Sequence, residues 1–348
     1  MEKENHSRSL ELATKKFFGE FLDDDNLNEI CYNGDGSIWT LDIKSKWDEY
    51  KKGYTLKDLE SFYIPLASHK EDTLKANKPI LSATLNNGER VQVVIPPVTK
   101  KGKVSITIRK PSKIEYTNDD FEKQGYYDNV NHIYEAELSP DEQKLISLYE
   151  AKDYKNFIPL AIKLNKNIIV AGATGTGKTT YMKSLIPFVP KEERLISIED
   201  TEELVYHVHK NFVQLFYPSE AKEGDPITSA ILLKSCLRMK PDRIFLAELR
   251  DGTAYDYLKV LGSGHGGSIT SVHAGSVLET LEERLPDLML ENPIAQKIPY
   301  ELILKKIKNA IDVVIHIQAH NGKRWIDDIY LKDHYYKNKG AIDENKKA

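Results

Sequence analysis

The most informative part of the sequence is Ile168-Ile169-Val170-Ala171-Gly172-Ala173-Thr174-Gly175-Thr176-Gly177-Lys178-Thr179-Thr180. It begins as a short apolar run and breaks into a glycine-rich turn that ends in Gly-Lys-Thr. Gly172 and Gly177 bracket four residues ahead of Lys178, and this spacing wraps successive backbone N–H groups around a triphosphate. The pattern predicts a Walker A phosphate loop, whose residues 172–180 bind a nucleotide.

The residues around this loop supply the rest of a nucleotide site. Lys178 provides a mobile cation for the phosphates, Thr179 offers its hydroxyl to Mg²⁺, and the helix that begins there points its positive end at the same phosphates. The run 168–170 reads as a buried parallel strand and 180–185 opens a helix, which is the setting that the motif requires. A chance glycine-rich turn is the alternative, and the agreement of motif and context argues against it. The sequence therefore predicts binding of ATP and Mg²⁺.

The length, net charge and cysteine content limit the classes of protein to which the chain can belong. The chain has 348 residues, 40% of them hydrophobic, and a formal net charge of -4. That length suits two domains, and that charge gives no general attraction to nucleic acid, which we do not expect as a direct ligand. Cys31 and Cys236 are the only cysteines, so a disulfide scaffold or a cysteine zinc site is not indicated and a reducing cytosol fits best.

The distribution of hydrophobic residues indicates how the chain can contact a membrane. No apolar run approaches the roughly 20 residues that span a bilayer. The Lys/Glu-rich start of the chain lacks the apolar segment of a signal peptide. Any membrane contact is therefore expected to be peripheral.

The first third of the chain mixes helical and strand patterns. Apolar residues recur at helical spacing over 10–22 and again over 56–67. The strand patterns alternate and are bounded by turn residues; they cover 28–32, 37–41, 81–85, 91–95 and 104–109. We therefore predict an α+β N-terminal domain over 1–110, followed by a polar linker, 111–139, with room for one short helix.

From Ser139 onward, helices alternate with apolar strands. Ser139, Pro140 and the acidic pair that follows them form a helix start. The strand patterns cover 167–171, 194–199, 212–216, 243–247, 267–272 and 313–318. Helix patterns over 228–238, 253–261 and 278–290 separate most of them, and a hairpin through Asn321-Gly322 closes the sheet edge. This order predicts an α/β, RecA-like P-loop NTPase domain over 140–335 with a mainly parallel sheet, and a disordered tail over 336–348.

Hydrolysis of ATP needs an acid near Mg²⁺ and a carboxylate that orients water. In open α/β sheets such groups lie at the carboxyl ends of strands. Two strand patterns run into an acid, at Glu199 and at Glu248, and Ala247 takes the position that an Asp usually holds before the second. We favour Glu199 for the water and Glu248 for Mg²⁺, directly or through water, with the reverse assignment left open. Either carboxylate could instead cap a following helix.

Other polar residues of this region have less specific patterns. Arg250 and Asp251 suit a structural ion pair or a subunit contact better than chemistry. His273 ends another strand pattern, where a neutral imidazole can hydrogen-bond a γ-phosphate. A zinc site at His273 and His265 is the rival idea, and the absence of a cysteine or third ligand nearby in the sequence argues against it. The predicted catalytic residues are therefore Lys178, Glu199, Glu248 and His273.

Four segments stand in an order that resembles the secretion superfamily ATPases. They are the phosphate loop, 198–203, 239–251 and the glycine-rich stretch that reaches His273, and they are similar to that family's Walker A, Asp box, Walker B and His box. Within that superfamily the chain most resembles the VirB-eleven type, the cytoplasmic traffic ATPases of bacterial type IV secretion systems.

The resemblance implies an assembly and a location. Such proteins form homo-hexameric rings, with an N-terminal ring stacked on a RecA-like ring and ATP at the domain junction. Arg90 and Arg109 are then implied to reach the nucleotide from the first domain, since guanidinium matches phosphate bidentately, although each could equally be a solvated strand residue. The implied partners are inner-membrane secretion proteins. The implied location of the chain is the cytoplasm, peripheral at the cytoplasmic face of the bacterial inner membrane. The implied activity is Mg²⁺-dependent ATP hydrolysis that powers pilus assembly or substrate transfer.

Three alternatives share parts of this pattern. A pilus retraction motor, or a type II secretion or tight-adherence ATPase, carries the same motifs, although two isolated cysteines cannot build the four-cysteine zinc module common in some of these relatives. A nucleotide-gated scaffold with little turnover fits the missing acid at Ala247. A nucleic-acid motor of the RecA-like type shares the second domain, and the acidic balance of the chain is weakly against it.

Overall fold

The computed structural model describes residues 2–112, 115–128, 130, 138–222 and 224–332, with side chains from residue 7 onward. Within these residues the chain forms two sheets, one from strands before residue 110 and one from strands after residue 167. The predicted mixed architecture, an α+β first region and an α/β second region, is confirmed. The predicted tail over 336–348 lies outside the described residues.

The first sheet has six antiparallel strands in the order β3-β2-β1-β6-β5-β4. The strands are β1 (Leu27–Tyr32), β2 (Ser37–Asp42), β3 (Trp47–Lys51), β4 (Ile80–Thr84), β5 (Arg90–Val94) and β6 (Ser105–Arg109). Both predicted pairings, β1 with β2 and β4 with β5, are confirmed. Strand β3 was not predicted, because it lies at the sheet edge and has no fully buried residue to produce an apolar alternation.

Two helices pack together against this sheet: α1 (Glu2–Leu22) and α2 (Leu56–His69). Aromatic residues fill the space between them, and Phe18 meets Phe62 edge to face with ring centroids 4.9 Å apart. Helix α2 begins at a capping box in which Thr55 and Asp58 each accept from the other's backbone N–H. The predicted helical patterns over 10–22 and 56–67 are both confirmed.

The second sheet has seven strands in the order β13-β12-β7-β11-β10-β8-β9. They are β7 (Ile168–Ala171), β8 (Leu195–Glu199), β9 (Phe212–Phe216), β10 (Arg243–Leu249), β11 (Ile269–Val272), β12 (Val313–His320) and β13 (Lys323–Leu331). Neighbouring strands are parallel except for the β12–β13 hairpin, which forms the edge as predicted. The central strands are buried along their whole length because helices cover both faces of the sheet.

The remaining described helices follow the first sheet in the chain, and the first of them alone has no buried residue. They are α3 (Asn118–Lys123), α4 (Pro140–Glu150), α5 (Tyr154–Lys163), α6 (Lys178–Leu185), α7 (Ser229–Cys236), α8 (Thr253–Leu261), α9 (Val277–Glu279), α10 (Leu285–Leu290) and α11 (Tyr300–Ala310). Helices α5 and α6 share one hydrophobic core, and α7, α8, α10 and α11 share the other. Ser139 caps α4 as predicted, with Pro140 in its first turn. No helix of the described residues is long and apolar enough to cross a membrane.

The two sheets meet through buried polar contacts. Nη1 of Arg194, a fully buried side chain, donates to Oδ1 of Asn33 at 2.7 Å and to Oδ1 of Asn211 at 2.6 Å. The backbone N–H of Phe216, at the end of β9, donates to the carbonyl of Val98 at 2.7 Å. These bonds seat the first region on the β9 edge of the second sheet. The predicted domain boundaries at 110 and 139 stay a prediction.

Candidate active site

The phosphate loop joins the carboxyl end of β7 to the first turn of α6. Glycine is required at Gly172, whose φ is 156°, because a Cβ there would lie 2.5 Å from the carbonyl oxygen of Ile317 on the neighbouring strand β12. Gly177, with φ of 94°, holds the left-handed turn that starts α6. Ala173, Thr174 and Gly175 form the exposed crest of the loop. A strand, a tight turn and a helix N-terminus thus meet as anion binding requires.

Lys178 folds back onto this loop. Its Nζ donates to the carbonyls of Gly172 at 2.9 Å and Ala173 at 3.0 Å, and it lies 3.1 Å from Nδ1 of His273 at the end of β11. The side chain is buried, and burial lowers the pKa of Lys178 although the charge of Glu248 opposes that effect. The carbonyls and the imidazole therefore hold the cation that the motif assigns to phosphates.

A chain of charged contacts continues from His273 along the carboxyl edge of the sheet. Nε2 of His273 lies 2.9 Å from Oε1 of Glu248. The other oxygen, Oε2, accepts from Nε of Arg250 at 2.8 Å and lies 2.7 Å from its Nη2. Nη1 of Arg250 then donates to Oδ2 of Asp200 at 2.5 Å. Strands β8, β10 and β11 thus bring their polar ends together beside the phosphate loop.

The protonation state of His273 follows from its two neighbours. Burial, together with the nearby charge of Lys178, lowers the pKa of His273 below its ordinary value, so the imidazole is neutral at neutral pH. The ammonium of Lys178 can only donate, so Nδ1 accepts and Nε2 carries the proton that it donates to Glu248. This tautomer links the cation of the loop to the carboxylate of β10.

Arg250 holds two carboxylates at once. Burial opposes its charge, yet hydrogen bonds and attraction from Glu248 and Asp200 raise the pKa of Arg250 above its ordinary value. The bidentate contact fixes the plane of the Glu248 carboxylate. Asp251, in contrast, accepts from the backbone N–H of Thr253 at 2.8 Å and so supports the start of α8. Arg250 therefore pairs within the site, and Asp251 supports a helix.

Glu199 lies apart from these contacts. Its carboxylate is fully buried and accepts four hydrogen bonds: from Oγ of Ser197 at 2.6 Å and Nε2 of Gln214 at 3.0 Å on Oε1, and from the backbone N–H groups of Glu203 at 2.9 Å and Leu204 at 2.8 Å on Oε2. All four donors belong to β8, β9 and the turn between them. The role in water alignment that the sequence favoured has no support in these contacts, because both oxygens are occupied by the protein.

The residues expected around Mg²⁺ suit that ion chemically. Thr179 lies in the first turn of α6, one residue after the lysine, and supplies a hydroxyl oxygen. Glu248 supplies carboxylate oxygens at the neighbouring strand end. Mg²⁺ prefers such hard oxygen ligands, one or two from protein with the rest from phosphate and water. Thr179 and Glu248 therefore fit the ion.

The structure places the two arginines of the first region side by side. Arg90 and Arg109 are cross-strand partners on β5 and β6, and both are exposed. Nε of Arg109 lies 3.7 Å from Oε1 of Glu29, and Arg90 lines a cavity of about 560 Å³ together with Arg238 from the second region. Among the described residues, neither guanidinium contacts the phosphate loop, so their role at the nucleotide stays a prediction.

Asp200 is the site residue that the sequence analysis missed. It follows Glu199, and successive side chains of a strand point to opposite faces of the sheet. That alternation could have indicated that one of the two carboxylates is turned toward β10 and the other away from it. The choice between them depends on Arg250, fifty positions away in the sequence.

Comparisons with known proteins agree with this geometry. A family model described as Type II/IV secretion system protein matches residues 138–341. The type IV secretion system protein VirB11 of Brucella suis is 46% identical over 305 residues, covering 87% of this chain and 83% of the relative. VirB11 of Bartonella henselae is 35% identical over 322 residues, covering 89% of each.

A solved structure extends the likeness to the whole fold. The crystal structure of the VirB11 ATPase from the Brucella suis type IV secretion system, in complex with sulphate, superposes with a TM-score of 0.88 at 40% identity. The match covers 95% of this chain and 97% of that one, so both sheets are included. The chain belongs to the type II/IV secretion system protein family and, within it, to the VirB11-type traffic ATPases.

Proposed function

We propose that this protein hydrolyses ATP with Mg²⁺ at the site around Lys178, as a homo-hexameric ring that powers pilus assembly or substrate transfer by a type IV secretion system. The observation that carries the proposal is the continuous set of contacts from Lys178 through His273 to Glu248. It joins the cation of the phosphate loop to a carboxylate at the end of a parallel strand, which is where open α/β sheets place their ligands.

Binding of the triphosphate begins with an exchange at Lys178. The ammonium leaves the carbonyls of Gly172 and Ala173, which are weaker acceptors than phosphate oxygens, and binds the β- and γ-phosphates. Backbone N–H groups of residues 174–180 donate hydrogen bonds to the remaining phosphate oxygens at the N-terminus of α6. His273, released from Lys178, hydrogen-bonds the γ-phosphate when Nδ1 is protonated, because phosphate oxygens only accept hydrogen bonds.

Glu248 is the carboxylate that we assign to the reacting water. His273 and Arg250 orient the two carboxylate oxygens of Glu248. Both contacts come from side chains near solvent, and neither comes from a buried backbone N–H group. Thr179 and Glu248 would hold Mg²⁺, the latter directly or through water, and the ion would supply positive charge beside the transferring phosphoryl group. Glu199 is assigned a positioning role: it fixes the turn that carries Asp200, the second partner of Arg250.

The proposed motor function is supported by the relatives of the chain and by apolar side chains on its surface. The relatives named above are proteins of type IV secretion systems, so we assign inner-membrane secretion proteins as partners and a peripheral place at the cytoplasmic face of the inner membrane. Exposed apolar side chains after β11, among them Ile294 in the turn before α11 and Tyr300 and Leu302 on α11, offer contact surface to neighbouring copies. Arg90 and Arg109 contact the nucleotide from the first domain when the ring closes, so that hydrolysis relaxes the domain hinge.

The test measures steady-state ATP hydrolysis with Mg²⁺ against protein concentration, beside sedimentation with a nonhydrolysable ATP analogue, for the wild type and Lys178→Ala. The expected rate per subunit rises as a six-subunit species forms, and in Lys178→Ala it falls about 100-fold or more, since the cation on the transferring phosphate is lost. Nucleotide binding by a monomer without Lys178-dependent turnover would contradict the motor and favour a nucleotide-gated scaffold.

A further inference from the structure

The segment between α9 and α10 is an irregular piece of helix that carries Arg284. Helix α9 continues into a π-helical turn, Thr280–Arg284, which continues into α10. A π-helical turn holds one residue more than an α-helical turn, and such turns are frequent at functional sites. One inserted residue rotates the side chains that follow it by about 100° relative to an uninterrupted α-helix. The direction of Arg284, at the end of the turn, therefore depends on this irregularity.

Hydrogen bonds attach this segment to the strand end that carries His273. Oε2 of Glu279 accepts from the backbone N–H of Gly275 at 2.8 Å. Oγ of Ser276 accepts from the backbone N–H of Glu279 at 3.0 Å, and Oγ1 of Thr280, a fully buried side chain, donates to the carbonyl of Ser276 at 2.7 Å. These bonds hold residues 275–280 together, so the π-helical turn begins at a fixed position relative to His273.

The guanidinium of Arg284 has no anionic partner within the protein. Its Nε is buried and has no hydrogen-bond partner. In the part of the chain that the structure describes, the guanidinium forms no ion pair, whereas that of Arg250 holds both Glu248 and Asp200. A buried donor without an acceptor is costly, and native proteins leave few of them. Arg284 is therefore ready to bind an anion without first breaking an ion pair.

The charge of Arg284 acts at the edge of the sheet where the phosphate loop lies. Burial and the ammonium of Lys178 lower the pKa of His273 most, and the guanidinium groups of Arg250 and Arg284 lower it further, against the charge of Glu248. Side chains of a helix lean toward its N-terminus, and the segment that carries Arg284 begins at the turn after His273. The guanidinium therefore reaches back toward His273 and Lys178.

The γ-phosphate is the anion that this position suits. The carboxylates of Glu248 and Asp200 are already bound by Arg250, so neither is free to pair with a second guanidinium. A triphosphate held by Lys178 places its γ-phosphate at the same edge of the sheet as His273. Guanidinium matches phosphate oxygens with two parallel hydrogen bonds, and a guanidinium without another partner loses nothing when it forms them.

We propose that Arg284 binds the γ-phosphate of ATP beside His273, and that ADP leaves the guanidinium without this contact. The inference rests on the proposed function, because it takes the triphosphate to be held by the loop. It adds to the site a cation from the same chain that distinguishes ATP from ADP.

The test measures the Kd of ADP and of a nonhydrolysable ATP analogue, each with Mg²⁺. Arg284→Ala is expected to weaken binding of the analogue about tenfold, the order for one lost hydrogen bond to a charged group, and to leave ADP binding within about twofold of the wild type. Arg284→Lys keeps the charge but loses the bidentate contact, so its affinity for the analogue is expected to lie between the two. Glu283→Ala, at an exposed position in the same π-helical turn, is the matched control and is expected to bind both nucleotides as the wild type does.

The outcomes separate this inference from the proposed function. Unchanged affinity for the analogue in Arg284→Ala, or an equal loss for the analogue and ADP, overturns the γ-phosphate contact. Lys178→Ala binding both nucleotides normally overturns the phosphate site itself. If Arg284→Ala does not fold, Arg284→Gln decides, because it keeps a long polar side chain and removes the charge. A loss confined to the analogue supports the contact, and equal affinities for the wild type and Arg284→Gln contradict it.

Discussion

Strands β8 and β10 lie side by side in the second sheet, and each carries a glutamate at its carboxyl end. On β8, Glu199 is fully buried and accepts four hydrogen bonds from neutral donors. On β10, Glu248 is partly exposed and its contacts run to His273 and to the guanidinium of Arg250. The same residue type at neighbouring strand ends therefore has two different surroundings.

The difference shows which kind of partner separates a carboxylate suited to a structural role from one suited to a role in the reaction. Buried neutral donors satisfy Glu199 completely, and breaking those bonds leaves unpaired N–H groups in the interior. The partners of Glu248 are the neutral imidazole of His273 and the guanidinium of Arg250, both near solvent, which can exchange the carboxylate for phosphate, metal or water at small cost. Three substitutions test this difference between the two carboxylates.

The largest expected effect is on hydrolysis in Glu248→Gln. The amide keeps the size of the side chain but cannot accept a proton, so the steady-state rate is expected to fall about 100-fold or more. The free energy of unfolding is expected to change little, because the side chain of Glu248 is partly exposed to solvent. The measurement is the rate at saturating ATP, with Glu220→Gln, an exposed carboxylate elsewhere in the same region, as the matched control. A rate near that of the control would remove Glu248 from the reaction.

The next effect is on stability in Glu199→Gln. In either orientation the new NH₂ group faces two donors, either those of Ser197 and Gln214 or the backbone N–H groups of Glu203 and Leu204. The free energy of unfolding is expected to fall by about 3 kcal/mol, since buried donors lose their acceptor. The measurement is denaturant unfolding.

The rate of ATP hydrolysis by the folded fraction of Glu199→Gln tests the contrast with Glu248 on β10. We expect this rate to stay within about threefold of the wild-type rate, because Glu199 is proposed to affect the reaction through the position of Asp200 alone. Unchanged stability combined with a lost rate would reverse the two roles.

The smallest effect is expected in Arg250→Ala. The substitution leaves His273 as the only partner fixing Glu248 and frees Asp200, so the rate is expected to fall about tenfold while ATP affinity is retained. Arg250→Lys keeps the charge but loses the bidentate contact, and its rate is expected to lie between the two. The measurement is the rate with Kd for ATP beside it, and a wild-type rate in Arg250→Ala contradicts the orienting role.

Local patterns were enough to predict much of the fold. The phosphate loop, the two first-region hairpins and six strands of the second sheet each have a signature within a few residues, and the structure confirms these elements. The edge strand β3 has no such signature, since its side chains are half-buried or exposed. Helices α5 and α11 were not predicted, although both carry apolar residues at helical spacing.

The choice between Glu199 and Glu248 lay beyond the sequence for a physical reason. The donors that occupy Glu199 include Gln214 on the next strand, and the cation that orients Glu248 also holds Asp200, fifty positions away. Such contacts are set by strand order in the folded sheet, which no local spacing records.

The most direct test of the central claim is a paired measurement on Glu248→Gln and Glu199→Gln, in which the single-turnover rate of ATP cleavage and the denaturant midpoint are taken from the same preparation. We predict a crossed result: Glu248→Gln loses the rate and keeps the midpoint, and Glu199→Gln loses the midpoint and keeps the rate of its folded fraction. A lost rate in Glu199→Gln at an unchanged midpoint, with full cleavage by Glu248→Gln, would contradict the account.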